Sequence, residues 1–256
     1  MKKGVLILAT LSTLLSGDRL VGEYSAKYGI FGTIAKARGV YDWNRTNYRI
    51  SVEAWAVGFA AKLSKNLRER FESEGRIEGG VLIPSKYQME IKRGNKLYHY
   101  IYTFDRQLMI IRKLKYFNGK LESNETLPYW VNQDILSLYF SLPRLIKPGK
   151  REYTFYALGA RKSDGRLDLR FLTPEEREEL EGEVGPARNA YFFRLNFYNK
   201  IFAGDRGILY LVISKENFVT LKGVVKNILK IGDLKGFLNR IQYFRGDFLK
   251  KENRGN

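Results

Sequence analysis

The chain contains no cysteine and a single histidine, His99, among 256 residues. Without cysteine there is no disulfide, no thiolate nucleophile and no Cys-based zinc or iron–sulfur site. One histidine leaves a His-rich metal site incomplete, and makes His99 the sole imidazole that a Ser-His-Asp triad could use. No cofactor or metal is therefore expected, and much of the usual catalytic repertoire is absent. No apolar run reaches the ~20 residues that a spanning helix needs. Linkers, low-complexity tracts and internal repeats are also missing. What is abundant is material for a core: hydrophobic residues make up 44% of the chain and aromatic residues 14%, too many for a disordered polymer. One packed β-rich domain over residues 18–256 is ordinary at this length.

Lys and Arg number 45 against 27 Asp and Glu, a net charge of +18. Such an excess attracts polyanions, or keeps a surface solvated. The N-terminus bears on which. Met1-Lys2-Lys3 precedes an apolar run from Val5 to Leu15 and then Ser16-Gly17-Asp18, the n-region, h-region and small-residue order of a secretory signal over residues 1–17. An uncleaved anchor and a buried N-terminal strand or helix are the alternatives. Export predicts a periplasmic protein, for which the polyanions are anionic lipid headgroups or envelope polysaccharides. Nucleic acid suits a cytosolic chain better.

Period-two alternation dominates from residue 23 onward and predicts a mainly β protein: a large curved antiparallel sheet or open barrel with a few short helices. Tyr24, Ala26, Tyr28 and Ile30 share one face, and beyond Gly29 and Gly32 the phase slips by one. That slip predicts a bulge or sharp bend, with Phe31, Ala35, Ala37 and Tyr41 facing inward. Further strands are expected at 47–57, 67–74, 86–93, 96–104, 107–117, 151–158, 166–172, 190–198, 207–213 and 217–225. Residues 224–231 suit a strand or a helix, residues 60–66 suit a helical turn, and the tail Lys250–Asn256 reads as frayed.

The clearest hairpin spans 86–104, with Arg93-Gly94-Asn95-Lys96 as its turn and Tyr98, Tyr100, Tyr102 and Phe104 on one face of the return strand. This ladder reads as core, or as the wall of a pocket for acyl chains or rings. His99 falls on the other face and is assigned no role. Residues 86–120 hold nine basic and two acidic positions. Lys92, Arg93, Lys96, Arg106, Arg112, Lys113 and Lys115 are thus candidates for a cationic rim.

Two helix starts are legible. Thr173-Pro174-Glu175-Glu176 carries a cap, a proline at the first position and two acids against the macrodipole. Its six glutamates between 175 and 183 read first as a solvated face, second as counter-charge. At 133–142, Asp134 three residues before Ser137 opens a short, almost uniformly apolar segment closed by Pro143. Asp134 is expected to cap it by accepting the N–H of Leu136 or Ser137.

Three stretches together, "GEYSAKYGIFGTIAKA", "ESEGRIEGGVLIPSKY" and "QDILSLYF", resemble in order a bacterial exported family catalogued as domain of unknown function 3108. Ser73, Gly75, Gly80, Pro84, Tyr87, Asp134, Leu136, Ser137 and Phe140 occupy the family's motif positions, read as structural. The resemblance implies a periplasmic β-rich protein without an established activity. The residues and the resemblance together favour a non-enzymatic envelope module, binding an anionic amphipathic ligand or serving as a scaffold. The alternatives are a hydrolase using carboxylates such as Asp134, Glu72 and Glu74, and a polyanion binder stacking bases on Tyr98, Tyr100 or Tyr102.

Overall fold

The computed structural model of the chain describes residues 17–160, 164–198, 206–228 and 232–246. Residues 1–16 of the expected signal segment, residues 229–231 and the basic tail lie outside them. β1 (Asp18–Tyr28) reverses through a 3-10 turn (Gly29–Phe31) into β2 (Thr33–Trp43), and β3 (Asn47–Ala56) leads through α1 (Gly58–Leu63) to β4 (Arg68–Glu78). β5 (Val81–Arg93), β6 (Lys96–Asp105), β7 (Ile110–Phe117) and β8 (Lys120–Thr126) continue the meander. The two-residue β9 (Gln133–Asp134) opens α2 (Ile135–Leu145), followed by β10 (Glu152–Leu158), β11 (Arg166–Phe171) and α3 (Pro174–Val184). β12 (Ala190–Tyr198), β13 (Arg206–Ser214), β14 (Thr220–Ile228) and β15 (Gly232–Phe244) complete the chain.

These strands form one 15-stranded sheet in the order β8-β7-β6-β5-β4-β3-β2-β1-β15-β14-β13-β12-β11-β10-β9. All pairs are antiparallel except β9 with β10. The first and last long strands meet at the centre, where β1 pairs with β15 from Arg19↔Phe244 to Tyr28↔Leu234. Register shifts at Glu23/Tyr24 and Glu74/Gly75 add twist and help the sheet curl. The curl brings β9 beside β5, yet among the described residues no strand pairing closes the ring. Side chains and α2 span the gap instead.

α2 lies against the concave face. Its Leu138 and Leu142 are buried among Leu167, Phe193 and Ile213, while the Phe140 ring lies tilted 4.3 Å from Tyr41. α3 covers the convex face of the C-terminal strands through Leu180 and Val184, which pack on Phe192, Val212 and Val224. Its acids are not merely solvated. Glu176 takes both Nη atoms of Arg170 (2.7 and 2.5 Å), which holds its carboxyl down at about 2, and Glu183 pairs with Lys226 and Lys235.

Several expectations change. The phase slip at Gly29–Gly32 is a chain reversal, since β1 and β2 pair with each other, and Ile30 and Phe31 at its tip are exposed rather than inward-facing. Strand β7 begins at Ile110, after a turn in which Met109 has φ of 54°. β8 and β15 were not anticipated. β8, "KLESNET", is an edge strand wet on both faces, and in β15 the irregular pairing with β1 and β14 breaks the alternation. Residues 224–228 are strand. α2 continues past Pro143, which sits in its last turn and forfeits the one intrahelical bond that its missing N–H would make.

Candidate functional site

The buried polar groups gather where α2 begins. Asp134 is fully buried, and its Oδ1 accepts the N–H groups of Leu136 and Ser137, both at 2.9 Å. Ser137 returns the favour of a capping box by accepting the Asp134 N–H at 3.0 Å. Oδ2 accepts the Ser73 hydroxyl at 2.6 Å, across 61 residues of sequence. Because Ser73 spends its proton there, the Tyr48 hydroxyl, 2.9 Å away, must donate to Ser73. Burial pushes the Asp134 carboxyl up to about 6, against the opposing pull of the three hydrogen bonds it accepts.

One turn later, Ser141 donates to the Ser137 carbonyl at 2.7 Å and accepts the Leu82 N–H at 2.9 Å. Gln133 donates to Ser141 and to the Leu82 carbonyl. The backbone of β5 is thereby hydrogen-bonded to α2. Glycines allow the close approach. A Cβ on Gly75 would lie 2.1 Å from the Ile83 carbonyl oxygen, and one on Gly80 would lie 2.6 Å from Arg144 Nε of α2. Pro84 and Tyr87 are buried beside them, and Leu136 packs on the Tyr87 cluster. The motif residues thus form a latch holding the helix in the sheet.

As chemistry the latch is closed. Ser73, Asp134 and Ser137 are all 0% exposed, so no substrate reaches them. Glu72 and Glu74 alternate with Ser73 and face the convex side, where Glu72 pairs with Arg49 and Arg70. The three carboxylates considered for hydrolysis do not converge. Among the described residues no group of three His, Cys, Asp or Glu stands together to hold a metal, and no helix is long and apolar enough to cross a membrane.

The aromatic ladder divides along its length. Phe104 and Tyr102 are core, 7% and 9% exposed, under the 127–131 segment, with Trp130 edge-on to Phe104 at 6.1 Å. Tyr100 and Tyr98 remain half-buried, with Met89 and Ile91 opposite them on β5 and the Phe117 ring tilted 4.9 Å from Tyr98. Phe71 opposes Met89 from β4. Together they form an apolar wall on the concave face. His99, on the other face, meets Gln88 at 3.3 Å.

The expected cationic rim is scattered. Lys113 and Lys115 share the ladder's face but are neutralised at 2.7 Å by Glu125 and Glu122 of the unanticipated β8. Arg112 is exposed on the convex face. Arg106 lies at the far end, donating to the Pro84 and Asn132 carbonyls, its guanidinium 5.5 Å from the Trp130 ring. Lys92, Arg93 and Lys96 stay together, exposed at the β5–β6 turn above Tyr98 and without an ion pair to any described residue.

Two spaces flank this arrangement. An open groove of about 880 Å³ at the Arg106 end is lined by Arg49, Arg76 and Arg106, but the first two pair with Glu72 and Glu78 and the third with carbonyls. Between α2 and β1–β3 an apolar cavity of about 40 Å³ remains, with Tyr24, Val52 and Phe140 among its walls. That is far smaller than the ~300 Å³ of a small ligand pocket. Tyr48, Gln133 and Ser141 were missed as latch members. The four-residue spacing of Ser137 and Ser141, two polar positions in line on a mostly apolar helix, with Gln133 four residues before the first, is the signal that marks two of them.

The fold and its latch define an open, β-barrel-like sheet plugged by one helix, a class set by architecture rather than by a reaction. The crystal structure of a β-barrel-like protein of domain of unknown function DUF1849 from Brucella abortus shares this fold. Its TM-score is 0.51 at 9% identity, covering 90% of this chain and 98% of that one. The family model described as protein of unknown function (DUF3108) matches residues 23–239, and the chain belongs to that family. No curated protein matches it.

Proposed function

We propose that the chain is a non-enzymatic module of the cell envelope, exported by its N-terminal segment, that holds the apolar part of an anionic amphiphile against its concave wall. The observation that carries this reading is the half-buried wall of Phe71, Met89, Ile91, Tyr98 and Tyr100 beside the exposed Lys92, Arg93 and Lys96. Apolar chains leaving water for such a wall gain roughly 25 cal/mol per Å², and unpaired cations at the turn above can meet a carboxylate or phosphate. The closed latch supports the non-enzymatic part. A scaffold is the second reading, favoured by the small volume left between α2 and the sheet.

Gentle purification from a bacterial envelope, followed by organic extraction and mass spectrometry, tests the proposal. Wild-type protein should carry lipid, and Tyr98→Glu, at a half-buried position, should fold and carry none. Wild-type protein that arrives empty and takes up no added phosphatidylglycerol would leave the scaffold.

A further inference from the structure

A second surface lies at the end of the sheet where the β1–β2, β3–β4, β5–β6 and β7–β8 connections gather. The β1–β2 reversal is Gly29-Ile30-Phe31-Gly32, with φ of 46° and 66° at its two glycines, so the tip is set by residues that tolerate the left-handed region. Ile30 is 96% exposed and Phe31 50%. The adjoining α1 adds Phe59 at 57% and Leu63 at 71%. Scattered exposed hydrophobics need no explanation, but here the rings of the two tips meet. The Phe31 ring is stacked on Tyr28 at 6.2 Å and on Phe59 at 5.9 Å, with interplanar angles of 10° and 8°. The Val57 N–H donates to the Ile34 carbonyl at 2.8 Å and joins the two tips.

The charge around this patch has one sign. The tip segments 27–36, 57–68, 91–97 and 116–120 contain nine Lys or Arg and no Asp or Glu. Lys27, Lys62 and Lys65 are exposed beside the apolar residues, and the Gly94 N–H donates to the Lys65 carbonyl at 2.7 Å, drawing the Lys92, Arg93 and Lys96 turn alongside. Asp233 on the adjoining β15 is held by Lys226 at 3.1 Å. The opposite end of the sheet, by contrast, mixes its charges: Arg45 and Arg49 follow Asp42, Glu78 follows Arg76, and Asp105 precedes Arg106.

We infer that this end docks on an anionic phospholipid bilayer, with Ile30, Phe31, Phe59 and Leu63 entering the headgroup and acyl boundary and the lysines and arginines meeting lipid phosphates. An exposed apolar cluster ringed by cations is the combination that binds such an interface, where burial and attraction to anionic lipid add together. Of the nine cations Arg68 pairs with Glu53, and a protein partner of mixed charge would leave the remaining cations largely unmatched. Lysine stems can lie along the apolar residues while their ammonium groups stay at the phosphates. The apolar tip is separate from the concave wall; the two share only the Lys92, Arg93 and Lys96 turn, which the tip variants leave untouched, so either can fail without the other.

The lack of cysteine makes the test direct, because one introduced thiol labels one place. An environment-sensitive dye is attached to full-length Ile30→Cys, and to Leu108→Cys at the opposite end, where Leu108 is 63% exposed. Vesicles of mixed phosphatidylcholine and phosphatidylglycerol should shift the emission of the first to the blue and leave the second unchanged. Vesicles of phosphatidylcholine alone should shift neither. In sedimentation with the mixed vesicles, Ile30→Ser/Phe31→Ser should lower partitioning about tenfold or more, and Lys62→Glu/Lys65→Glu should lower it similarly while flattening its dependence on salt. The N-terminal apolar run is present throughout, so these differences report the tips alone.

Equal shifts at both dyes would mean adsorption through net charge, and the inference falls. It falls also if the serine variant partitions like wild type, or if that variant alters self-association while leaving vesicle binding intact, which would make the patch a contact between copies. Lipid extracted from the concave wall should be unaffected by the serine variant. Loss of extracted lipid in Tyr98→Glu with docking retained would separate the two surfaces.

Discussion

Along β6, four aromatic side chains on one face meet two environments. Phe104 and Tyr102 lie under Trp130 and Val131 at the latched end, whereas Tyr100 and Tyr98 remain half-buried toward the cationic tips. The difference does not arise in the strand, whose alternation is uniform, but in what reaches it from elsewhere in the chain. At one end α2 and the 127–131 segment fill the curve, and Asp134, Ser73, Ser137 and Ser141 are buried there as hydrogen-bonded partners. At the other nothing described covers the wall, and the tips carry unpaired lysines and exposed rings. Stability is concentrated at the first end and available surface at the second.

The sharpest way to break that contrast is to pry the latch apart. Gly75→Ala sets a methyl group against the backbone of Ile83 and Pro84, which cannot rotate away. A loss of about 3 kcal/mol, or failure to fold, is expected in urea titrations. Phe104→Ala, in the core half of the ladder, should cost about 3–4 kcal/mol, and Tyr98→Ala, in the open half, about 1 kcal/mol or less. Equal losses at the two positions would erase the division of the ladder.

Asp134→Ala removes a cap and leaves Ser73 and two N–H groups without an acceptor, so about 2–4 kcal/mol should be lost. Asp134→Asn should cost little, because its oxygen can still accept the two N–H groups and its NH₂ can donate to Ser73 once the Ser73–Tyr48 bond reverses direction. The carboxyl also fixes a pH dependence. Its pKa is raised to about 6 in the folded protein, above the ordinary aspartate value near 4. Between about pH 4 and pH 6 the folded state therefore holds a proton that the unfolded chain has released. This group's contribution is fully present below that window and is lost as pH rises through it. Subtracting the pH profile of Asp134→Asn from that of wild type should isolate a downward slope there. An upward slope would show that the hydrogen bonds outweigh burial.

The smallest effect on stability belongs to the tip. Ile30→Ser should shift the unfolding midpoint by no more than about 0.5 kcal/mol, since its side chain is almost wholly in solvent. A larger loss would place Ile30 in the stable part of the molecule and end its separation from the latch.

Much of the frame was legible in the sequence. The 86–104 hairpin, the caps at Asp134 and Thr173 and the predominance of antiparallel strands follow from local rules: side chains alternate across a strand, and a helix start leaves N–H groups that a nearby oxygen can accept. The motif positions of the family were also readable, though not what they do together. β8 escaped because an edge strand wet on both faces has no alternation to read, and with it went the acids that neutralise Lys113 and Lys115.

By itself, then, the sequence determined the period-two strands, the helix starts, the excess of positive charge and the absence of thiol chemistry, all of which depend on neighbours within a few residues. Tertiary structure alone decided that Ser73 meets Asp134, that the Gly29–Gly32 stretch is an exposed tip rather than a bulge, and that half of an aromatic ladder is core. Those outcomes depend on which strands pair and on where α2 comes to rest. Packing and desolvation act between residues the curl of the sheet brings together, and separation along the chain does not record it.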